Sequence, residues 1–192
     1  MPSITPGMEF PLLSKSFLEG PVVDRDGYQY FVTQMSDGIP RIGRELLNEV
    51  LDGIEAVADL DCDLILAPEA MGIPLATGLT LRRGIPFLVV RKRWYGLPGE
   101  IEVRQRTGYS ESLMTVNTVN PGERVVILDD VVDTGGTLKG AVSALREAGV
   151  VVTEIVVIFN RSGDIDSLSE EVGVPIRSLL SVGTEDGRPV LR

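Results

Sequence analysis

Histidine is absent from the 192 residues of this chain, and cysteine occurs once, as Cys62. The first absence removes Ser-His and Cys-His nucleophilic chemistry and leaves acid and base work to carboxylates, lysine, tyrosine or the substrate. It also takes away the usual ligands of a structural zinc site. A single cysteine excludes an intrachain disulfide framework and suits a reducing compartment. Placed between Asp61 and Asp63 with no ligand cluster around it, Cys62 reads as a structural thiol. Basic residues are also few: 18 Lys and Arg against 28 Asp and Glu give a net charge of −10, which speaks against general affinity for nucleic acid. No apolar run approaches membrane-spanning length and no charged-then-apolar signal pattern opens the chain, so a cytoplasmic protein is expected. Neither a G-x-x-x-x-G-K-[ST] loop nor a G-x-G-x-x-G fingerprint occurs, which disfavours a P-loop NTPase and a dinucleotide-binding enzyme.

The most specific pattern is Arg-Val-Val-Ile-Leu-Asp-Asp-Val-Val-Asp-Thr-Gly-Gly-Thr-Leu-Lys-Gly at residues 124–140. Val125 to Leu128 is apolar without alternation and follows the turn signal Pro121-Gly122, which predicts a strand buried on both faces. From Thr137 the positions Leu138, Ala141, Val142, Leu145 and Ala148 recur at helical spacing until Gly149 supplies a stop. Between them Asp133, Thr134, Gly135, Gly136 and Thr137 form a loop of glycines and hydroxyls, whose N–H groups and helix start suit a phosphate. Asp129 and Asp130 repel phosphate but suit sugar hydroxyls, which give carboxylates charge-assisted hydrogen bonds. The implied ligand is a ribose 5-phosphate unit. A plain strand-to-helix turn is the bland alternative, and it rarely needs two acids, two hydroxyls and two glycines together.

The thirteen residues Val125 to Thr137 resemble, without a gap, the phosphoribosyl-pyrophosphate signature of the type I phosphoribosyltransferases. That resemblance implies Asp129 and Asp130 on the ribose 2- and 3-hydroxyls and residues 133–137 around the 5-phosphate. Pro68-Glu69-Ala70-Met71-Gly72, at a second strand-to-helix junction, falls where the family has its pyrophosphate loop, often with a cis peptide. Gly72 would permit close backbone approach, and Glu69 would order the loop or a metal's waters. Arg91-Lys92-Arg93 leave the apolar run Ile85 to Val90 at a strand's carboxyl end, where open α/β sheets bind ligands, so Arg91 and Lys92 are assigned to the pyrophosphate. The aperiodic residues 94–112 take the place of the family's flexible loop, which closes over substrate and excludes water. Trp94, Tyr95 and Tyr109 are expected there as lid or base contacts.

Arg91 to Glu100, Thr107 to Ser110, Glu69 to Gly72 and Tyr28 to Pro40 look like the purine branch of that family. The archaeal-type hypoxanthine/guanine enzymes are the better match and the adenine enzymes the next. Two departures stand out. Adenine enzymes carry a loop glutamate just before a Tyr-Gly pair, where this chain has Arg106-Thr107-Gly108-Tyr109. Archaeal hypoxanthine/guanine enzymes usually have serine at Asp133, whereas the better-studied ones have aspartate contacting purine N7. Asp133 is therefore a candidate general acid/base, or, as in phosphoribosyl-pyrophosphate synthases, a residue that only shapes the phosphate loop. Base contacts are expected from Tyr30 and Phe31 and from Phe159, Asn160 and Arg161. The resemblance further implies phosphoribosyl pyrophosphate as co-substrate, Mg2+ held mainly by substrate and water near Asp129 and Asp130, and a homodimer. A non-catalytic regulator sensing phosphoribosyl pyrophosphate or a nucleotide is the rival, for which the chain lacks an added helix-turn-helix segment or basic stripe.

The rest of the chain predicts an α/β fold. It consists of a Rossmann-like parallel sheet flanked by helices, with a small N-terminal hood, all in one domain of 1–192. Residues 1–20, broken by Pro2, Pro6, Gly7 and Pro11, read as an arm or a lid, and Val22 to Phe31 as a hairpin around Asp26-Gly27, completing an arm and hood of about 1–40. Within a core of about 41–192, helices are expected over 41–58 and 73–81. Core strands are expected over 63–67, 85–90, 113–116, 155–159 and 175–180.

Overall fold

The computed structural model describes residues 9–106 and 111–192, with the side chains of 104–106 and 111–112 outside that description. The first elements in chain order are α1 (Pro11–Leu18), β1 (Val22–Arg25), β2 (Tyr28–Phe31), α2 (Gln34–Asp37), α3 (Arg44–Val57), β3 (Leu64–Pro68), α4 (Gly72–Arg83) and β4 (Phe87–Val90). After them come β5 (Ile101–Arg106), β6 (Glu111–Val116), β7 (Arg124–Val132), α5 (Gly136–Glu147), β8 (Val151–Asn160), α6 (Ile165–Val172), β9 (Ile176–Glu185) and β10 (Arg188–Leu191). The central sheet has the order β10-β9-β8-β7-β3-β4. Its strands β4, β3, β7, β8 and β9 are parallel, and β10 pairs antiparallel with β9 at one edge.

Strand β7 explains the missing alternation in its sequence. Val125 and Ile127 pack with Leu138, Val142 and Leu145 of α5, Leu168 and Val172 of α6, and Val103 and Met114 of the β5–β6 hairpin. Val126 and Leu128 pack on the opposite face with Val50 and Ile54 of α3 and Leu75 and Leu79 of α4. A strand covered on both faces has no polar side to show. The expected helices and strands are all present within a few residues, and Asp26 and Gly27 turn the β1–β2 hairpin with φ of 55° and 85°.

Five elements depart from the sequence expectation, the short α2 at Gln34–Asp37 among them. Helix α1 lies in the supposed arm: Pro11 occupies its first turn, where a missing N–H is harmless, and Glu49 of α3 accepts hydrogen bonds from the N–H groups of Leu12 and Leu13 at 3.1 and 2.7 Å. Strand β5 and the start of β6 lie inside the supposed loop 94–112, paired as a hairpin apart from the central sheet. Helix α6 starts at Asp164, whose side chain accepts from the Ser167 N–H at 3.0 Å, and β10 adds the antiparallel edge.

The hood is tied to the sheet by aromatic packing. Phe17 of α1, Phe31 of β2 and Phe159 of β8 form a triangle with ring centres 5.1, 5.5 and 5.6 Å apart, two of the contacts edge-to-face. Such geometry adds to the burial of three large side chains. Phe17→Ala is expected to lower the free energy of unfolding by about 3–5 kcal/mol, read from the urea midpoint at unchanged m-value. Wild-type stability in that variant would show that the triangle does not anchor the hood.

Candidate active site

At the carboxyl end of β7 the apolar run gives way to Asp129 and Asp130, and the chain then turns through residues 133–135 into α5. Gly135 has a φ of +70°, and a Cβ there would stand 2.3 Å from Leu168 Cδ1, so both backbone and space demand glycine. Helix α5 starts without a side-chain cap, which leaves its first N–H groups turned to whatever fills the loop. The peptide dipoles make that helix start attractive to an anion.

A cavity of about 290 Å³ opens over this loop. Its floor is Asp129 to Leu138, which includes Asp133, Thr134, Gly135, Gly136 and Thr137. One wall is Pro68, Glu69, Ala70 and Met71, with Lys92 beside them. The hood contributes Tyr28, Tyr30, Phe31 and Ser36, and Arg161 comes from the end of β8. The Glu69–Ala70 peptide is cis.

The carboxylate pair is the least comfortable part of the site. Asp130 donates its backbone N–H to Asp129 Oδ1 at 2.9 Å, holding the two side chains together. Burial raises the pKa of Asp129 from its ordinary value, partly countered by its hydrogen bonds with Asp130 and by the Lys92 charge. Asp130 is raised well above that range, by burial first and by the neighbouring Asp129 charge second.

Several assigned residues sit elsewhere than expected. Arg91 does not line the cavity: its Nε lies 3.4 Å from Glu69 Oε2, and its backbone bridges to Thr115. Glu69 is correspondingly engaged, its Oε1 accepting the Lys92 N–H at 2.6 Å, so it binds the turn to the exit of β4. Lys92 is the cation of that cluster that reaches the cavity. Gly72 is buried under the turn, where a Cβ would meet Leu128 O at 2.6 Å; its close approach is to β7, away from the cavity. Phe159 is fully buried behind Phe31, and Asn160 is buried with its side-chain oxygen accepting from the Ser162 N–H and hydroxyl. These two support the wall from behind, and the neighbouring Arg161 provides the surface. Trp94 and Tyr95 are half-exposed and lie outside the cavity lining, on a loop gathered around Glu100, which accepts from the N–H groups of Tyr95, Gly96 and Leu97. Tyr109 lies outside the described residues.

Sequence reasoning gave no site role to Ser36, although Thr33-x-x-Ser36 spells a capping box, and the structure forms it at the start of α2. Tyr28 was legible as a hairpin residue and as the start of the segment Tyr28 to Pro40 that resembles the purine branch, with no role of its own. Its hydroxyl donates to Asp133 Oδ2 at 2.6 Å.

A parallel, helix-flanked sheet with a phosphate-type loop and an acidic pair at one strand's carboxyl end defines a sugar-phosphate-binding α/β protein. Comparison with known proteins narrows this. The model of the phosphoribosyl transferase domain family matches residues 36–174. A hypoxanthine/guanine phosphoribosyltransferase of Methanohalophilus mahii is 45% identical over 181 residues, 94% of this chain and 95% of that protein. An HGPRTase-like protein of Haloterrigena turkmenica is 46% identical over 175 residues, 91% and 96% of the two chains. Among solved structures, the adenine phosphoribosyltransferase of Thermoanaerobacter pseudethanolicus superposes with a TM-score of 0.70 at 22% identity, over 90% of this chain and 99% of that one; this likeness is one of fold. The chain belongs to the type I phosphoribosyltransferase family.

The raised carboxyls have a consequence for stability. A carboxyl whose folded pKa exceeds its unfolded value costs stability once pH rises above the unfolded value, and costs nothing below it. Asp130→Asn is therefore expected to stabilise the protein by about 1 kcal/mol or more at pH 7–8, seen as a melting temperature several degrees higher. The gain should vanish near pH 4. A variant less stable than wild type at neutral pH would contradict this reading.

Proposed function

We propose that this chain transfers ribose 5-phosphate from phosphoribosyl pyrophosphate to N9 of a purine, with hypoxanthine and guanine preferred over adenine. The observation that carries the proposal is one cavity holding both an uncapped, glycine-led helix start and a half-buried carboxylate pair, the two halves of a ribose 5-phosphate site. The loop Asp133 to Thr137 would hold the 5-phosphate through backbone N–H groups and hydroxyls. Asp129 and Asp130 would accept from the ribose hydroxyls, replacing the hydration that burial removes. Lys92 and the turn Glu69 to Met71 line one wall of the cavity, and pyrophosphate lying there would develop its leaving charge against a cation and backbone dipoles. Holding donor and base in line is worth on the order of 7–11 kcal/mol of the barrier.

The donor set also fits Mg2+ carried in with the donor substrate. Asp129 and Asp130 offer hard carboxylate oxygens, and a pair without a third protein ligand suits an ion that keeps waters and substrate oxygens. Among the described residues no group of three or more His, Cys, Asp or Glu could hold a metal by itself. When bound, the ion would neutralise pyrophosphate charge.

Base selection would fall to the hood and Arg161. Tyr28, Tyr30 and Phe31 offer ring faces and edges to a planar base. Arg161, a donor without acceptor capacity, suits the 6-carbonyl of hypoxanthine or guanine and cannot accept from the 6-amino group of adenine. The relatives named as hypoxanthine/guanine enzymes support the same choice. Asp133 would take the proton that the base loses. A cytoplasmic homodimer is part of the proposal, and the half-exposed Trp94, Tyr95 and Leu97 offer an apolar surface for a second copy.

A coupled assay of the four bases hypoxanthine, guanine, xanthine and adenine with phosphoribosyl pyrophosphate and magnesium tests the proposal. Specificity constants for hypoxanthine and guanine should exceed that for adenine by on the order of 100-fold, and Arg161→Gln should bring the ratio toward unity. Tight ribose 5-phosphate binding without turnover of any base would instead favour a regulator.

A further inference from the structure

We propose that Tyr28 is a positioning residue for ribosyl transfer, fixing the Asp133 carboxylate for the proton that the base gives up. The inference rests on the proposed acid/base role of Asp133.

The geometry is a closed ring of contacts. The Tyr28 hydroxyl, carried by the hood, donates to Asp133 Oδ2 at 2.6 Å across 105 residues of chain. The Tyr28 ring lies under the Arg161 guanidinium, with the guanidinium carbon 4.4 Å from the ring centre. The Arg161 Nη2 is 3.4 Å from Thr184 Oγ1 on β9, and its backbone N–H donates to Val132 O at 2.8 Å, one residue before Asp133. The ring thus closes from Asp133 through Tyr28 and Arg161 back to Val132. The register of the hood hairpin sets the other end, since Tyr28 pairs with Arg25 next to the Asp26-Gly27 turn.

Such a ring answers a mechanical need. Asp133 sits on a loop that continues into Thr134 and Gly135, and an aspartate there has two free side-chain torsions. A base must stand within about 2.6–3.2 Å of the proton it takes, in one direction. With Oδ2 held by Tyr28, the carboxylate has one orientation. Oδ1, which meets no donor among the described residues, is left as the acceptor. In the transfer the N9–C1 bond forms and the C1–O bond to pyrophosphate breaks, its electron pair leaving on pyrophosphate. The imidazole proton of the base passes to Asp133 Oδ1. Both Tyr28 and Asp133 line the cavity where that base would lie.

The test is a double-mutant cycle on the full-length protein. Tyr28→Phe, Asp133→Asn and the double variant are compared for kcat with saturating phosphoribosyl pyrophosphate, magnesium and hypoxanthine, and for calorimetric binding of ribose 5-phosphate. Tyr28→Phe keeps the ring under Arg161 and is expected to lower kcat about tenfold while ribose 5-phosphate affinity stays within about twofold. Asp133→Asn should lower kcat on the order of 100-fold, and the double variant should be no slower than Asp133→Asn alone. Unchanged kcat in Asp133→Asn removes the acid/base reading itself. With Asp133→Asn impaired, either unchanged kcat in Tyr28→Phe or independent, additive losses would overturn the positioning role alone. A lowered melting temperature with wild-type turnover per folded molecule would make the bond a hood anchor and overturn it as well.

Discussion

Two carboxylates taken out of water at the end of an apolar strand set the terms for the rest of this molecule. Asp129 and Asp130 follow Leu128 directly, and the sheet that buries Val125 to Leu128 on both faces also buries part of them. Among the described residues their compensation is limited to hydrogen bonds within the pair, the backbone of Asp130 and Val131, and the field of Lys92. Desolvation therefore raises both pKa values, and the free-energy cost is carried by the two well-packed clusters on either side of the sheet. The same cost makes the pair a strong acceptor once a ligand brings hydroxyls or cations to it.

That strain on the pair is useful only if the other half of the ligand is fixed relative to it, and here close packing decides. Gly135 leaves no room for a side chain against Leu168, so the loop that leads into α5 is pressed onto α6. Gly72 leaves none against Leu128 O, so the neighbouring turn is pressed onto β7. Both loops are thereby referenced to the same strand that carries the acids. The hood is referenced to β8 through Phe159, buried beneath Phe31, which places the Tyr28 and Tyr30 wall opposite the floor.

How much of this could be read from sequence depended on the range of the interactions involved. The β7 to α5 stretch was legible because its physics is local: an apolar run, acids at its end, glycines where the chain must turn. The same held for Asp26-Gly27. Helix α1 was hidden because Pro11 reads as a breaker until a partner, Glu49, is known to satisfy the N–H groups after it. Strand β5 was hidden because Val103 alone among its described side chains is fully buried, too few for a period, whereas the end of β6, with Met114, Thr115 and Val116 buried, was legible as a strand over 113–116. In the site, sequence could list Arg91 and Lys92 but could not divide their roles, since that depends on Glu69, 23 residues from Lys92, taking Arg91 as its partner. Nor could it separate Arg161 from Phe159 and Asn160 before strand twist fixed which of three consecutive residues meets the cavity.

The charge of the cavity explains why an acidic protein can be suited to a polyanion. Among the described lining residues Lys92 and Arg161 stand against Glu69, Asp129, Asp130 and Asp133, so side chains alone repel a phosphorylated ligand. Among the described residues, attraction would come from groups without formal charge: the N–H groups that α5 leaves uncapped and the amides of the turn after β3. Backbone donors hold a 5-phosphate well but do little for a pyrophosphate whose charge grows as it leaves. With Glu69 paired to Arg91, the carboxylates of Asp129, Asp130 and Asp133 would then oppose the reaction unless further positive charge entered with the donor. A divalent ion travelling with pyrophosphate would supply that charge only to the ligand able to chelate it. In this way the excess of acid in the cavity would select for a metal-bound donor over free phosphate or nucleotide.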